Sequence, residues 1–492
     1  MTQLEEHFLK FRNNISGIDT QFESPYGTKK LLYADWTATG RVYLPIEKFL
    51  IEEISPFVAN THSFNSFTGS TTTLAYKMAL KYIKRHVGAY DSDVIISAYS
   101  GMTGVVNKFQ RMLGFRIHES YSDLINKTLE EKPIIFVTHM EHHSNQTSWL
   151  ETIVDVEIIR PDNEGLPDLG HLAEMLEKYS ARKTKIAAIT SCSNVTGIFT
   201  PYHDIAEMMH KAGGLCFVDF ATSAPYIDIK MRQDNPERSL DAIYFSPHKF
   251  LGGPGSTGIL VFDPKLYHNK IPDLSGGGIV KWTNPWGEHE YFDDIETRED
   301  CGTPAVLQTI KAAFAIKLKE EMGVRNILAR EHEIIQIIFD RLSKIPNLKI
   351  LASNKQERLG IISFCIVDFH YNLVVSLLND KFGIQVRGGC SCAGTYGHYL
   401  LDVNYDQSHS FSNRIKRGDY SEKPGWARLS IHPTMSDTEI EYICDAIKEV
   451  ALNISEWQND YEYDAQINDF LPKNHFNSQK TLVTEWFNRK LN

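Results

Sequence analysis

Between about residue 90 and residue 265, short apolar runs alternate with amphipathic stretches. The runs at 94–97, 134–137, 186–189, 215–218, 242–245 and 258–262 are β-branched or aromatic enough to read as strands. The stretches at 103–112, 169–179 and 202–212 carry apolar residues at helical spacing. Near-continuous apolar strands separated by helices predict a mostly parallel sheet buried on both faces. Ligands bind beyond the carboxyl ends of strands in such sheets, and most polar residues singled out below follow these runs directly.

From about Pro304 the pattern changes. Helices are expected over 305–322, 324–345, 372–382 and 437–452, with strands or apolar runs at 348–351, 361–367, 384–386 and 427–431. This is the pattern of a second, α+β domain. Residues 401–424 are polar and weakly patterned, which predicts a long loop. The expected division is an N-terminal segment 1–45 packing with the small domain, a large domain 46–305 and a small domain 306–492.

Bulk properties narrow the function classes. At 492 residues, with 42% hydrophobic and 23% charged residues, the chain can build a large core and more than one domain. A net charge of −11 argues against binding nucleic acid. No 18-residue apolar run occurs, and Met1-Thr-Gln-Leu-Glu-Glu-His7 lacks the pattern of a secretory signal, so neither membrane spanning nor secretion is expected. Seven irregularly spaced cysteines fit a reducing cytoplasm better than a disulfide framework.

The chemistry concentrates in Asp241-Ala-Ile-Tyr-Phe-Ser246-Pro-His248-Lys249-Phe-Leu-Gly-Gly253-Pro-Gly255-Ser-Thr-Gly258. Lys249 ends an apolar strand and precedes a glycine-rich turn, as a Schiff-base lysine beside an anionic cofactor requires. A surface lysine before a turn is the commoner case, but it leaves the Ser-x-His prefix unexplained. The glycine spacing matches the letters of a dinucleotide fingerprint. That fingerprint needs a helix after it, and a strand-like run follows here instead.

Four further segments sharpen the reading. Asp219 ends the apolar run that begins at Leu215. A buried carboxylate needs a partner, and a pyridinium nitrogen suits it. Ser100-Gly101-Met102-Thr103 lies between a strand and a helix, where backbone N–H groups bind phosphate. Glu141-His142-His143-Ser144-Asn145 follows a strand, and His142 is placed to stack on a flat ring. With His139 these histidines also show a metal-like spacing, but no metal motif accompanies it and no metal is expected. Arg428 interrupts the apolar run of Gly425-Trp-Ala-Arg428-Leu-Ser-Ile-His432, where a guanidinium could bind a carboxylate or form a structural ion pair.

Together these residues resemble the class V aminotransferase family of fold-type I pyridoxal-phosphate enzymes, in its cysteine desulfurase and selenocysteine lyase branch. The resemblance runs from about Tyr33 to about Ile447 and is strongest at Ser246-Pro-His248-Lys249. Ser193-Asn194-Val-Thr-Gly197 and Cys301-Gly302-Thr303-Pro304 also look like family motifs. It implies a large domain with a mostly parallel seven-stranded sheet plus a smaller α+β domain, pyridoxal 5'-phosphate as cofactor, and a homodimer with active sites at its interface.

Carried over by resemblance, Lys249 holds the cofactor aldehyde and moves the α-proton, His142 stacks on the ring, and Asp219 pairs with its nitrogen. Gly101, Met102, Thr103, Ser246 and His248 bind the phosphate, with Thr303 supplied by the second subunit. Asn194 lies near the phenolic oxygen or the substrate, and Arg428 binds the substrate carboxylate. Relatives usually place Gln three residues after the Asp. This chain has Thr222, a hydrogen-bond donor of shorter reach.

The segment Arg387-Gly-Gly-Cys390-Ser-Cys392-Ala-Gly-Thr-Tyr-Gly-His398 decides among reactions. By resemblance Cys392 is the thiol that takes sulfur from L-cysteine as a persulfide, leaving alanine. Arg387 or His398 would assist if near. Cys390 is an extra thiol, able to resolve the persulfide as a disulfide. Three readings stay open: a desulfurase needing Cys392 and passing sulfur to an acceptor protein; another amino-acid reaction such as lyase, transaminase or epimerase chemistry needing only Lys249 and Arg428; and a non-catalytic homologue of the fold.

Overall fold

Six almost fully buried strands and one half-buried edge strand line up into one sheet. In the computed structural model, which describes residues 2–61, 64–474 and 478–491, they are β1 Val94–Ala98, β2 Ile134–Thr138, β3 Asp155–Ile159, β4 Lys185–Thr190, β5 Leu215–Asp219, β6 Ala242–Phe245 and β7 Gly258–Phe262. Their order across the sheet is β1-β7-β6-β5-β4-β2-β3. Only β7 runs antiparallel to its neighbours; the other pairs are parallel. The expected mostly parallel seven-stranded sheet is therefore present. Six of its strands were legible as apolar runs. The seventh, β3, is the edge strand opposite β1, and Asp155 and Glu157 break its apolar run.

This sheet belongs to a large unit, Ala38–Asn194 with Ile198–Leu328. Its helices include α1 Phe67–His86, α2 Met102–Met112, α3 His143–Leu150, α4 Leu169–Lys178, α5 Tyr202–Lys211 and α6 Val306–Met322. The Phe109 ring of α2 packs against Phe217 of β5 and Phe262 of β7, each at 5.2 Å between centroids. Trp149 of α3 meets the same Phe217 at 6.4 Å. Each such aromatic contributes about 1.5–3 kcal/mol by burial. These contacts seat α2 and α3 on the sheet, so their first turns stand where polar groups of the site are needed.

The small unit comprises Met1–Thr37, Val195–Gly197 and Ala329–Asn492; residues 1 and 492 of the expected divisions lie outside the described residues. Its antiparallel sheet has strands β8 Leu348–Ile350, β9 Ile361–Ile366, β10 Arg387–Gly389 and β11 Trp426–Ser430, in the order β8-β9-β11-β10. Helices α7 Val324–Leu342 (from Ala329 on), α8 Tyr371–Phe382, α9 Gly394–Leu400, α10 Tyr405–Ile415 and α11 Asp437–Trp457 accompany it. The N-terminal segment joins by backbone pairing: Leu32–Tyr33 lies parallel to Ile384–Gln385, and Asp35 bridges to Ser430.

The expected long loop at 401–424 is corrected by the structure, which places α10 there. Asn404 and Gln407 close a reciprocal capping box, each side chain bonding the other's backbone N–H at 3.0 Å. Arg414, paired with Asp419 at 2.8 Å and Glu422 at 2.5 Å, ties down the far end. The helix is polar because it packs few apolar residues, and that concealed it. After α11, the tail forms a hairpin, Tyr461–Asp464 with Asp469–Pro472, which anchors through Tyr461 Oη donating to Asp380 at 2.8 Å. Among the described residues, no helix is long and apolar enough to cross a membrane.

Candidate active site

In the large unit, the end of β6 and the start of α2 build one cradle. Lys249 closes a single helical turn, Pro247–Lys249, directly after β6 and Ser246. The glycine-rich run lets the chain fold back here, since a Cβ on Gly253 would run into the Pro247 carbonyl oxygen. The Ser246 hydroxyl accepts the Met102 N–H at 2.8 Å. A Cβ on Gly101 would sit 3.2 Å from Ser246 Oγ and 3.7 Å from His248 Nε2, so both side chains face that glycine. The N-cap of α2, Gly101, has no side chain to cap the helix; Ser246 takes the Met102 N–H, and the remaining first-turn N–H groups with the helix dipole favour an anion. Thr103 Oγ1 shares a 2.7 Å hydrogen bond with Ser144 Oγ of α3. The structure thus brings Gly101, Met102, Thr103, Ser246 and His248 together. It adds Thr39, whose Oγ1 hydrogen-bonds His248 Nδ1 at 3.1 Å and which the sequence did not single out.

Asp219 stands buried at the carboxyl end of β5, with Oδ1 accepting the Ala221 N–H at 2.7 Å. Burial pushes its carboxyl up to about 6, while the Ala221 N–H and the positive charge of Lys249 pull the other way. The same burial, with Lys249 adding to it, takes His248 down to about 4, so its ring is neutral at pH 7. His142 caps α3, its Nδ1 accepting the Ser144 N–H at 3.1 Å, which leaves the proton of the neutral ring on Nε2. His139 turns elsewhere, with Nε2 at 3.2 Å from the Gly165 carbonyl.

Beneath His142 lies a buried network that the sequence displays only as a motif. Glu141 accepts from Thr138 Oγ1 at 2.6 Å, Thr190 N at 2.9 Å and Asn145 Nδ2 at 2.8 Å. Asn145 in turn accepts from Tyr244 Oη at 2.6 Å. Three strands, β2, β4 and β6, are thereby tied to the platform that carries His142. Burial drives the Glu141 carboxyl up to about 8 against those hydrogen bonds.

The sequence expects pyridoxal phosphate here, and the residues fit it. A helix start flanked by hydroxyls suits the phosphate. A buried carboxylate strained by desolvation suits a protonated ring nitrogen. Lys249 lies within electrostatic reach of both Asp219 and His248. Asn194 and Thr222 are buried in the same unit. Thr303 is exposed beside Gly302, and among the described residues no hydrogen bond or ion pair ties it to the cradle.

The small unit carries a second cluster. Arg387 and Arg428 face each other directly across the β10–β11 pair. Arg428 is 1% exposed, and its Nη2 donates to Asp35 Oδ1 at 2.6 Å. Burial lowers its pKa while Asp35 opposes the shift. Arg387 Nη2 donates to Cys392 Sγ at 3.4 Å. His398 does not share that role: its Nδ1 meets the Gly394 carbonyl and its Nε2 meets Ser408 Oγ, both at 2.8 Å. Cys392 sits in a closed turn, with the Ala393 N–H bonding the Cys390 carbonyl at 2.9 Å. Ser391 and Cys392 have φ of 52° and 58°, a left-handed conformation that costs roughly 1–2 kcal/mol for a residue with a Cβ.

A mostly parallel sheet with a lysine after one strand, a buried acid at the end of its neighbour and a helix start beside both defines a class. The class-V aminotransferase family model matches residues 32–443, and the chain belongs to that family. A probable cysteine desulfurase of Halalkalibacterium halodurans is 30% identical over 390 residues, 77% of this chain and 88% of the relative. Two solved structures share the fold, each with a TM-score of 0.69 at 20% identity. An apo cysteine desulfurase of Thermococcus onnurineus covers 86% of this chain and 95% of its own. The cysteine desulfurase CsdA of Escherichia coli, in S-sulfonic acid form, covers 91% and 98%.

Proposed function

We propose that this protein is a pyridoxal-phosphate-dependent cysteine desulfurase that converts L-cysteine to alanine and leaves the sulfur as a persulfide on Cys392. The observation that carries this reading is the small-unit cluster. The thiol accepts a guanidinium N–H from Arg387, whose strand neighbour is Arg428, the group suited to a substrate carboxylate. A transaminase or epimerase needs no such thiol.

In this reading Lys249 holds the cofactor through its aldehyde, Asp219 faces the ring nitrogen, and His142 lies against the ring. Gly101, Met102, Thr103, Ser246 and His248 hold the phosphate, and Asn194 and Thr222 lie toward the phenolic oxygen. The bound cofactor supplies an electron sink that makes the substrate α-carbon acidic. Lys249 Nζ moves the α-proton. Arg428 orients the substrate carboxylate, with Asp35 fixing one edge of the guanidinium so that the rest of the fork stays aimed. Cys392 Sγ attacks the substrate sulfur, and Arg387 donates to Sγ while it carries negative charge.

A homodimer in which Thr303 comes from the second subunit belongs to the same proposal. The large unit exposes Phe64, Phe67, Met78 and Trp286, by 62%, 74%, 70% and 83%, which supports a covering partner. A sulfur-acceptor protein would take the product sulfur. All seven cysteines are free thiols, which supports a cytoplasmic site of action.

The test is direct. The protein loaded with pyridoxal phosphate is given L-cysteine and a reductant, and alanine and sulfide are measured. Cys392→Ala is expected to keep the bound cofactor's absorbance and lose about 10²-fold or more of sulfide release. Full sulfide release by that variant would overturn the desulfurase reading in favour of other amino-acid chemistry. Failure to take up the cofactor at all would overturn both. Faster turnover of selenocysteine or a cysteine conjugate would reassign the substrate within the same chemistry.

A further inference from the structure

The small unit holds four thiols, and their surroundings sort them into two kinds. Cys444 is buried and Cys365 lies partly covered on β9, and burial takes them up to about 12 and about 11. Cys390 and Cys392 are part-exposed and sit at the first and third positions of one closed turn. Both central residues of that turn, Ser391 and Cys392, take left-handed backbone angles, as in the tight primed turns that reverse a chain. Two Cα atoms that far apart along a folded turn lie about 5.5 Å from each other. That falls within the range of about 4.4–6.8 Å over which cysteine side chains can meet.

We infer that Cys390 is a second sulfur-carrying residue: the sulfane sulfur captured by Cys392 passes to Cys390 before it leaves the protein. The inference rests on the desulfurase reading above and extends it. The direction of transfer follows from Arg387, whose guanidinium touches Cys392 Sγ. That donor stands ready to take up the negative charge as it forms on Cys392 Sγ. Cys390, as thiolate, attacks the outer sulfur of the Cys392 persulfide. The bond between that sulfur and Cys392 Sγ breaks as the bond to Cys390 Sγ forms. Cys392 departs as a thiolate that accepts the Arg387 N–H, so the negative charge that enters on Cys390 leaves on Cys392 and no proton is gained or lost. The exchange is redox-neutral, so no oxidant or reductant enters it. It frees Cys392 for another substrate while the sulfur waits on Cys390, which stands near Tyr371 rather than Arg428.

The test maps sulfur in the unaltered holoenzyme. Protein loaded with pyridoxal phosphate is mixed with L-cysteine without reductant, quenched over time with an alkylating agent, and digested. Fragment ions between the two cysteines then assign each added mass of about 32 Da to Cys390 or Cys392. Sulfane sulfur is expected on Cys392 first, then on Cys390, with doubly loaded chains accumulating. In Cys392→Ser neither position should load. Cys390→Ser should carry at most one sulfur atom and slow turnover beyond the first by about fivefold. Alanine formation with sulfur confined to Cys392 in the wild type would overturn the relay alone. Direct loading of Cys390 in Cys392→Ser would overturn its order. No alanine from the wild type would overturn the desulfurase reading and the relay with it.

Discussion

The two units keep their reactive groups in opposite ways. In the large unit, Asp219 is buried at a strand end, Glu141 just past another and Asn145 in the first turn of α3, and Lys249 follows a strand of the same sheet. Their geometry is set by the hydrogen-bonded central sheet and the helices packed on it, and desolvation is the force that tunes Asp219 and Glu141. In the small unit, Cys390 and Cys392 are part-exposed on a strained turn, and one hydrogen bond from Arg387 distinguishes Cys392. Burial suits groups whose task is to hold a cofactor in one place. The proposed role of accepting sulfur and releasing it asks for access instead, which a turn held by the adjoining strands provides.

The sharpest break in this comparison is at Lys249. Lys249→Ala is expected to abolish the visible absorbance of bound pyridoxal phosphate and to lower alanine formation by about 10³-fold or more. The alkylation rate of Cys392, which belongs to the other cluster, should stay at its wild-type value.

Asp219 comes next. Burial raises its carboxyl from 3.8 to about 6, so the fold favours the protonated form. Its favourable contribution is complete below pH 4 and is lost as pH rises through 6. Each tenfold change in proton affinity is worth about 1.4 kcal/mol, so at pH 7 the ionised group lowers the stability of the cofactor-free protein by about 3 kcal/mol. Asp219→Asn should therefore stabilise the cofactor-free protein at pH 7 by up to about 3 kcal/mol and bind pyridoxal phosphate at least about tenfold more weakly. Urea denaturation across pH checks this: the gain must vanish near pH 4. A gain constant from pH 8 to 4 would mean that desolvation of Asp219 is not what distinguishes the large-unit cluster.

How much of this was legible follows the same divide. The strands that carry Asp219, Ser246 and Lys249 are apolar because both faces of the sheet are covered, so the residues that end them stood out against a plain background. The edge strand β3 and the glycine-built strand β10 lacked that contrast. Asp35 and Thr39 escaped notice because their roles depend on partners hundreds of residues away, Arg428 and His248. The Glu141 network was visible only as a motif, since nothing local shows that Asn145 reaches Tyr244 on β6. In the small unit, Arg387 could be suspected beside Cys392, but choosing it over His398 required knowing that α10 takes the imidazole through Ser408.

The Arg387 contact gives a smaller, more selective test. Arg387→Leu removes the donor on Cys392 Sγ, and loss of one charge-assisted hydrogen bond should slow alkylation of Cys392 and sulfide release by about tenfold. The absorbance of the bound cofactor should not move. A shift in that spectrum would show that the small-unit cluster also sets the electronics of the large-unit one, and the division of labour would fail.

The smallest effect concerns α10, the helix hidden in the expected loop. Asn404 accepts the Gln407 N–H at 3.0 Å, and Gln407 returns a bond to the Asn404 N–H at the same distance. Replacing a cap of this type by Ala costs about 1 kcal/mol, a factor of roughly five in local opening. Asn404→Ala should therefore speed amide exchange in the first turn of α10 about fivefold, while Asn404→Ser, which can still accept the same N–H, should restore most of the protection. The amides of β5 and β6 should not respond, because the cap touches no residue of the large sheet. If exchange rose equally in both places, α10 would unfold only with the whole protein. The small unit would then lack the local freedom that the proposed role of its part-exposed thiols calls for.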